Sequence, residues 1–243
     1  MLNRIIIKLS GEAIGNESGY DDMIINSIVA QIILLVRTHV QVALVVGGGN
    51  LWRGRQAAPE MDRVKADQMG MLATVMNALY LQDAFRRLGQ KAKVVTPFPV
   101  GNMTELYNKD AALEMLESGT VVINAAGLGH PLFSTDTITA LRAAELDADC
   151  ILFAKNTDGV YDDDPHKNPS AKKYRTLSYR TAIKNNLHVA DMSALHIALE
   201  AGISSYVFSL NAHNSITLAG SYPETGNLNG TYIGVYAVEL WHE

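Results

Sequence analysis

The residues best fitted for chemistry in this chain are three clusters of glycine, each closing an apolar run, and one lysine inside such a run. Ile5-Ile6-Ile7-Lys8-Leu9 leads into Ser10-Gly11, residues 42–46 lead into Gly47-Gly48-Gly49, and residues 120–125 lead into Gly127-Leu128-Gly129. A glycine has no Cβ, so its backbone N–H can approach an anion that any side chain would hold off. In an open α/β sheet, ligands lie beyond the carboxyl ends of the strands. Three glycine turns at such ends imply more than one phosphate group to hold. Arg53, four residues after Gly49, adds a planar fork of donors matched to phosphate oxygens. The P-loop pattern of two glycines, lysine and Ser/Thr is absent, so a nucleoside triphosphate would be bound by another architecture.

Lys8 interrupts a strand that reads as covered on both faces. A buried ammonium is costly unless it is paired or bound to an anion. Two readings stand: the stem packs while the head snorkels at the strand end, or the ammonium faces a transferring phosphoryl group and neutralises its oxygens. The second reading needs a carboxylate to hold the lysine. Asp136, at a helix start after a glycine turn, is the first candidate and Asp191, at another helix start, the second. Aspartate is also a favoured N-cap, which is the structural alternative for both.

These residues need a scaffold, and the pattern supplies one. Short β-branched runs alternate with helical periodicity, the signature of a mostly parallel sheet covered on both faces, and hence of a three-layer α/β/α sandwich. Strands are expected at residues 5–9, 42–46, 93–96, 120–125, 150–154, 206–210 and 232–238. Asp21 or Asp22 caps a helix carrying Ile25, Ile28, Val29, Ile32 and Val36 at spacings of three and four. A long helix over 69–88 places Leu72, Val75, Met76, Leu79 and Ala84 at helical spacing, with its methionines read as core filler. Further helices are expected from near Asp136, over 178–185 and over 191–201. Asp158-Gly159 and Asp163-Asp164-Pro165 mark a polar excursion between elements.

Composition narrows the function classes. The 243 residues are 48% hydrophobic with no linker-like segment, which favours one domain over residues 1–243. A formal charge of −5 with both signs interspersed argues against a nucleic-acid partner, because no basic face is legible. The single cysteine, Cys150, lies in an apolar run and reads as a buried inert thiol. No signal peptide and no membrane-spanning stretch is legible, so a cytoplasmic protein with no membrane partner is expected.

At this point the motifs match a family. Lys8-Leu9-Ser10-Gly11-Glu12-Ala13 resembles the opening of the bacterial-type UMP kinases (uridylate kinases), members of the amino acid kinase superfamily. Gly47-Gly48-Gly49-Asn50-Leu51-Trp52-Arg53-Gly54 is similar to the second signature of that family, and residues 62–77 to the third. Phe133-Ser134-Thr135-Asp136-Thr137 and Asp158-Gly159-Val160-Tyr161 follow in the family's order. The likeness covers residues 4–210. It fades over 211–243, where an unfamiliar turn surrounds Ser221-Tyr222-Pro223-Glu224 and an aromatic tail ends at Trp241.

The resemblance implies the amino acid kinase fold and phosphoryl transfer from Mg-ATP to UMP, giving UDP and ADP in pyrimidine nucleotide biosynthesis. It puts Lys8, Leu9, Ser10 and Gly11 at the ATP phosphates, with Lys8 as the catalytic cation and Asp136 orienting it; Asp191, the second candidate above, completes the catalytic set. Gly49 and Arg53 fall in the same phosphate region, and Asn156, Tyr161 and Asp164 near the adenosine. Gly48 and Asp67 would contact UMP, and Leu128, Gly129, His130, Pro131, Leu132, Phe133, Ser134 and Thr135 would wrap its uracil and ribose. Lys155 or Asn156 stands at a second basic or amide position. His130 and Leu132 depart from the residues many relatives carry. Mg2+ would be held mainly by the ATP phosphates, with no metal ligand assigned on the protein. The resemblance also implies a homohexamer with the long helix near subunit contacts, and UTP and GTP as effectors. Two rivals remain: a related kinase for a carboxylate, carbamate or isoprenoid phosphate, and a non-catalytic nucleotide-binding protein on the same fold.

Overall fold

The computed structural model describes residues 2–16, 19–54, 58–165, 167–221 and 229–241. Its centre is β1 (Arg4–Leu9), flanked by β4 (Gln41–Val46) on one side and β8 (Cys150–Lys155) on the other, both parallel to it. Outward from β4 come β7 (Val121–Asn124), β5 (Ala92–Thr96) and β6 (Glu105–Leu106), all parallel. Outward from β8 come β11 (Ser204–Ser209), β12 (Thr231–Gly234), β10 (Lys173–Ser178) and β13 (Leu240–Trp241), with β9 (Val160–Tyr161) paired to β10. The β11–β12, β10–β13 and β9–β10 pairs are antiparallel. A separate hairpin joins β2 (Gly15–Asn16) and β3 (Gly19–Tyr20).

Helices cover both faces, as the alternating pattern predicts. On one face α1 (Asp22–Arg37), α2 (Arg63–Arg87) and α7 (Ser215–Gly220) pack against Ile5, Ile7 and Leu9 of β1. On the other, α3 (Lys109–Glu117), α4 (Thr135–Glu145), α5 (Tyr179–Lys184) and α6 (Met192–Ala201) pack against Ile6 and its neighbours. The four apolar side chains of β1 are fully buried, each contributing about 2 kcal/mol. A register slip of one residue would exchange the faces of Ile6 and Lys8 with those of their neighbours. The core therefore fixes the direction in which Lys8 points. No helix among the described residues is long and apolar enough to cross a membrane.

Several elements differ from expectation. Helix α2 begins at Arg63, capped by the Asp62 side chain on Lys65 N, six residues before the expected start at residue 69. Val75 and Ala84 are buried, but Met69, Leu72 and Met76 are 41%, 52% and 56% exposed, so these methionines are not core filler. They lie on the helix face opposite the sheet. The cap of α4 is Ser134, not Asp136, and the strand expected to reach residue 238 ends at Gly234. Strand β10 and helix α3 were not foreseen: β10 buries only Tyr174 and Leu177, a spacing that fits no strand period, and α3 buries only Ala112 and Leu116. Beyond Ser221, the turn expected around 221–224 lies outside the described residues. Cys150 is buried, and burial pushes its thiol up to about 12, consistent with an inert group.

Candidate active site

The carboxyl ends of β1, β4, β7 and β8 lie side by side, so the glycine turns that follow three of them converge. Lys8 shares the face of Ile6, because alternate residues of a strand point the same way. That face is covered by α4, and Asp136 sits in the first turn of α4. The Lys8 ammonium lies 3.0 Å from Asp136 Oδ1, with side chains 13% and 15% exposed. Asp136 Oδ1 is buried and accepts no hydrogen bond. The pair is thus held by charge, not by an aligned N–H, and the donors of Lys8 remain available to another acceptor.

Asp136 is free for this role because Ser134 does the capping. Ser134 Oγ accepts from the Asp136 and Thr137 amides at 2.9 and 3.3 Å and donates to Asp191 Oδ2. Thr137 Oγ1 donates to the same oxygen at 2.9 Å, and Asp191 Oδ1 caps α6 by accepting from Ala194 N at 2.8 Å. Both oxygens of Asp191 are engaged, so Asp136, not Asp191, pairs with Lys8. Asp191 instead ties the start of α4 to the start of α6.

A second lysine joins the cluster. Lys155 is two residues beyond Phe153, the register partner of Lys8, and therefore on the same face. Its ammonium donates to Val189 O. Burial pushes it below the ordinary lysine value; Asp136 and Asp191 oppose that shift and Lys8 adds to it. Of the two residues offered for the second basic or amide position, Lys155 is the one facing this cluster.

The glycines at the strand ends are required by close backbone approach. A Cβ on Gly11 would stand 2.6 Å from Gly49 N, and one on Gly48 would stand 2.8 Å from the Ala73 Cβ and 3.0 Å from Gly70 O in α2. Gly47, Gly48 and Gly49 have no positive φ, so close packing, not a left-handed turn, selects glycine at 47 and 48. The third turn is different: Ala126, Gly127 and Gly129 have φ of 61°, 58° and 79°. Arg53 Nε donates to Gly49 O at 3.0 Å and its guanidinium pairs with Glu12, whose place opposite Arg53 the sequence did not reveal.

Two clefts are lined by residues that follow the carboxyl ends of these strands: Gly48 after β4 and Gly127 after β7 in one, Thr157 after β8 in the other. One, of about 170 Å³, is lined by Gly48, Trp52, Asp67, Gly70, Thr74, Gly127, His130, Phe133 and Thr135. Gly48, Asp67, His130, Phe133 and Thr135 thus meet in one cleft. Leu128 packs against the core beside α4, Gly129 lies against Pro97, and Ser134 serves as cap. Pro131 lies in the same loop, and Leu132, at φ 73°, contributes its amide, which donates to Asp67 Oδ2 at 2.9 Å.

The other cleft, of about 490 Å³, is lined by residues that include Thr157, Tyr161, Asp164, Asn186 and His188. Asn156 is not among the lining residues; it precedes Thr157 in the chain and is exposed. Tyr161 OH donates to Asp158 Oδ1 at 2.8 Å, and burial with that bond pushes the phenol up to about 12. Burial would raise the Asp158 pKa, but hydrogen bonds from Lys173, at 2.7 Å, and Tyr161 outweigh it and hold the carboxyl below its ordinary value. Lys173 was not foreseen because β10 was not.

Comparison with known proteins bears on the fold and the family. The family model described as Amino acid kinase family matches residues 3–209. The UMP kinase from Bacillus anthracis superposes with a TM-score of 0.91 at 33% sequence identity, covering 100% of this chain and 99% of that one. The UMP kinase from Ureaplasma parvum gives a TM-score of 0.90 at 35% identity, covering 96% and 99%.

Proposed function

The chain belongs to the amino acid kinase family, and from that premise we propose that it transfers the γ-phosphoryl group of ATP to UMP, giving ADP and UDP. The observation that carries this reading is the buried Lys8–Asp136 pair at the carboxyl end of the central strand β1, with Thr135, the neighbour of Asp136, lining the cleft beside Asp67. The named relatives, both UMP kinases, support the choice of acceptor.

A nucleoside monophosphate has a second pKa near 6, so its attacking oxygen is largely ionised at neutral pH. No general base is needed. The task is to align two anions and cancel their repulsion. In this reading UMP takes the cleft beside Asp67, whose second carboxylate oxygen faces Gly54 and is open to ribose hydroxyls. ATP takes the cleft beside Tyr161 and Asp164, and its phosphates extend over Ser10, Gly11 and Gly49 toward Lys155. Lys8 directs its N–H donors at the oxygens of the phosphoryl group as it moves, while Asp136 holds the ammonium in place. Arg53 exchanges Glu12 for a phosphate.

The reading includes a magnesium ion carried on the ATP phosphates. Bound there it would neutralise phosphate charge. The reading includes assembly into a homohexamer through the exposed outer face of α2.

The test is ADP release from ATP measured with UMP, CMP and dCMP as acceptors. The reading expects turnover with UMP well above that with the other two. Absence of UMP-dependent ADP release from folded protein overturns it.

A further inference from the structure

Helix α2 carries a polar stripe on the face it turns to the strand ends. Asp67, Gly70, Thr74 and Asn77 follow one another at spacings of three and four, which places them on one side of a helix. The same side continues into Ala78, Leu81 and Phe85, all fully buried. Thr74 and Asn77 are 4% and 0% exposed, polar residues where core residues would ordinarily stand. Each is spent on a turn of the candidate site. Asn77 Nδ2 donates to Gly47 O at 2.6 Å and to Asn50 Oδ1 at 2.7 Å, and Asn50 Nδ2 donates back to Asn77 Oδ1 at 3.2 Å. Thr74 Oγ1 donates to Met71 O and accepts from Ala126 N, both at 2.7 Å. Ala126 is left-handed without being glycine, a strained conformation that persists only where its surroundings enforce it.

We propose that Thr74 and Asn77 are positioning residues for phosphoryl transfer: Asn77 sets the turn after β4 and Thr74 sets the turn after β7, so that α2 fixes the separation of the two. At about 1.5 Å of rise per residue, Asp67 and Asn77 stand about 15 Å apart along the helix. That span carries, in order, the Asp67 contact to Leu132 N, the Gly48 contact at Gly70, the Thr74 bond to Ala126 and the Asn77 bonds to Gly47 and Asn50. A rigid helix with one hydrogen-bonding group per turn of the site holds both loops in register without touching the reacting atoms. The inference rests on the kinase reading above for its kinetic consequence, and on the hydrogen bonds alone for its structural one.

Thr74→Val keeps the side-chain shape and removes the acceptor for Ala126 N. It is expected to raise the KM for UMP about tenfold, as one buried N–H loses its partner, with the KM for ATP unchanged. Thr74→Ser, which retains the hydroxyl, is expected to restore the parental KM. Asn77→Asp presents a carboxylate to Gly47 O and is expected to lower kcat about 10²-fold through misalignment. Asn50→Ala, which loosens the same turn without altering α2, should lower kcat in the same direction and serves if Asn77→Asp does not fold. Hydrogen exchange of the whole protein without nucleotide reads the pinning directly. Thr74→Val should speed exchange in residues 126–129 and spare 47–50, and Asn77→Asp or Asn50→Ala should do the reverse. If Thr74→Ser behaves as Thr74→Val, or if every variant loosens both turns alike, the positioning role is overturned. Absence of UMP turnover in the parental chain would overturn the kinase reading, while the exchange pattern would still decide the pinning.

Discussion

Replacing Lys8 by Met tests the centre of the site, because it keeps the aliphatic stem and removes only the charge. At 3.0 Å from Asp136, the attraction at an effective dielectric near 20 is about 5–6 kcal/mol before desolvation is counted. Removing one partner of a buried pair costs about 3–5 kcal/mol of stability because the other charge is left uncompensated. Here the 13% and 15% exposure and the presence of Lys155 within electrostatic reach of Asp136 place the loss near the lower end, about 3 kcal/mol. A domain stable by about 5–15 kcal/mol remains folded after that loss. Turnover should fall much further than the folded fraction, by about 10²–10³, as when a preorganised donor to transition-state charge is removed. The KM for UMP should change little, since Lys8 does not line the cleft beside Asp67. The assay is coupled ADP release at saturating ATP and UMP, with urea unfolding of the same preparation. A folded Lys8→Met protein that turns over at the parental rate would refute the assigned role of the ammonium.

Further predictions follow the same logic. Lys155 has its pKa lowered by burial, so as pH rises through that value its proton leaves and the charge is lost; the alkaline limb of the kcat/KM profile should move to higher pH in Lys155→Arg, and an unmoved limb would exclude Lys155 from that limb. Asp67→Asn should raise the UMP KM about tenfold with kcat nearly kept, as loss of one charged hydrogen bond in binding does; an effect confined to kcat would contradict the ribose assignment. Glu12→Gln removes the carboxylate that competes with phosphate for Arg53 and should lower a nucleotide KM about threefold, since a half-exposed pair is worth under about 1 kcal/mol; a raised KM would mean that Glu12 orients Arg53 instead. Met76→Glu places a charge on the exposed outer face of α2 and should shift size-exclusion elution from that of the proposed hexamer toward smaller species, whereas an unchanged elution would contradict subunit contacts on this face.

The sequence by itself determined the layered α/β fold, the strand ends at which ligands gather, and Lys8 as a cation in need of a partner. These follow from local rules: β-branched runs make strands, periodic apolar residues make helices, and glycine permits close approach. Tertiary structure decided which carboxylate meets that cation. Asp136 and Asp191 both precede or open a helix, and nothing local separates them; only the packing of α4 on β1 brings one to 3.0 Å and leaves the other capping α6. Tertiary structure also decided that Met69, Leu72 and Met76 face outward, because the stripe at Thr74 and Asn77 turns inward to bond the site's turns. Hydrophobic periodicity assigns the apolar side of a helix to the core, and here it pointed the wrong way for one half of α2. Hydrogen bonds to backbone groups of distant loops leave no periodic trace, since their partners lie 30 and 52 residues away in the chain.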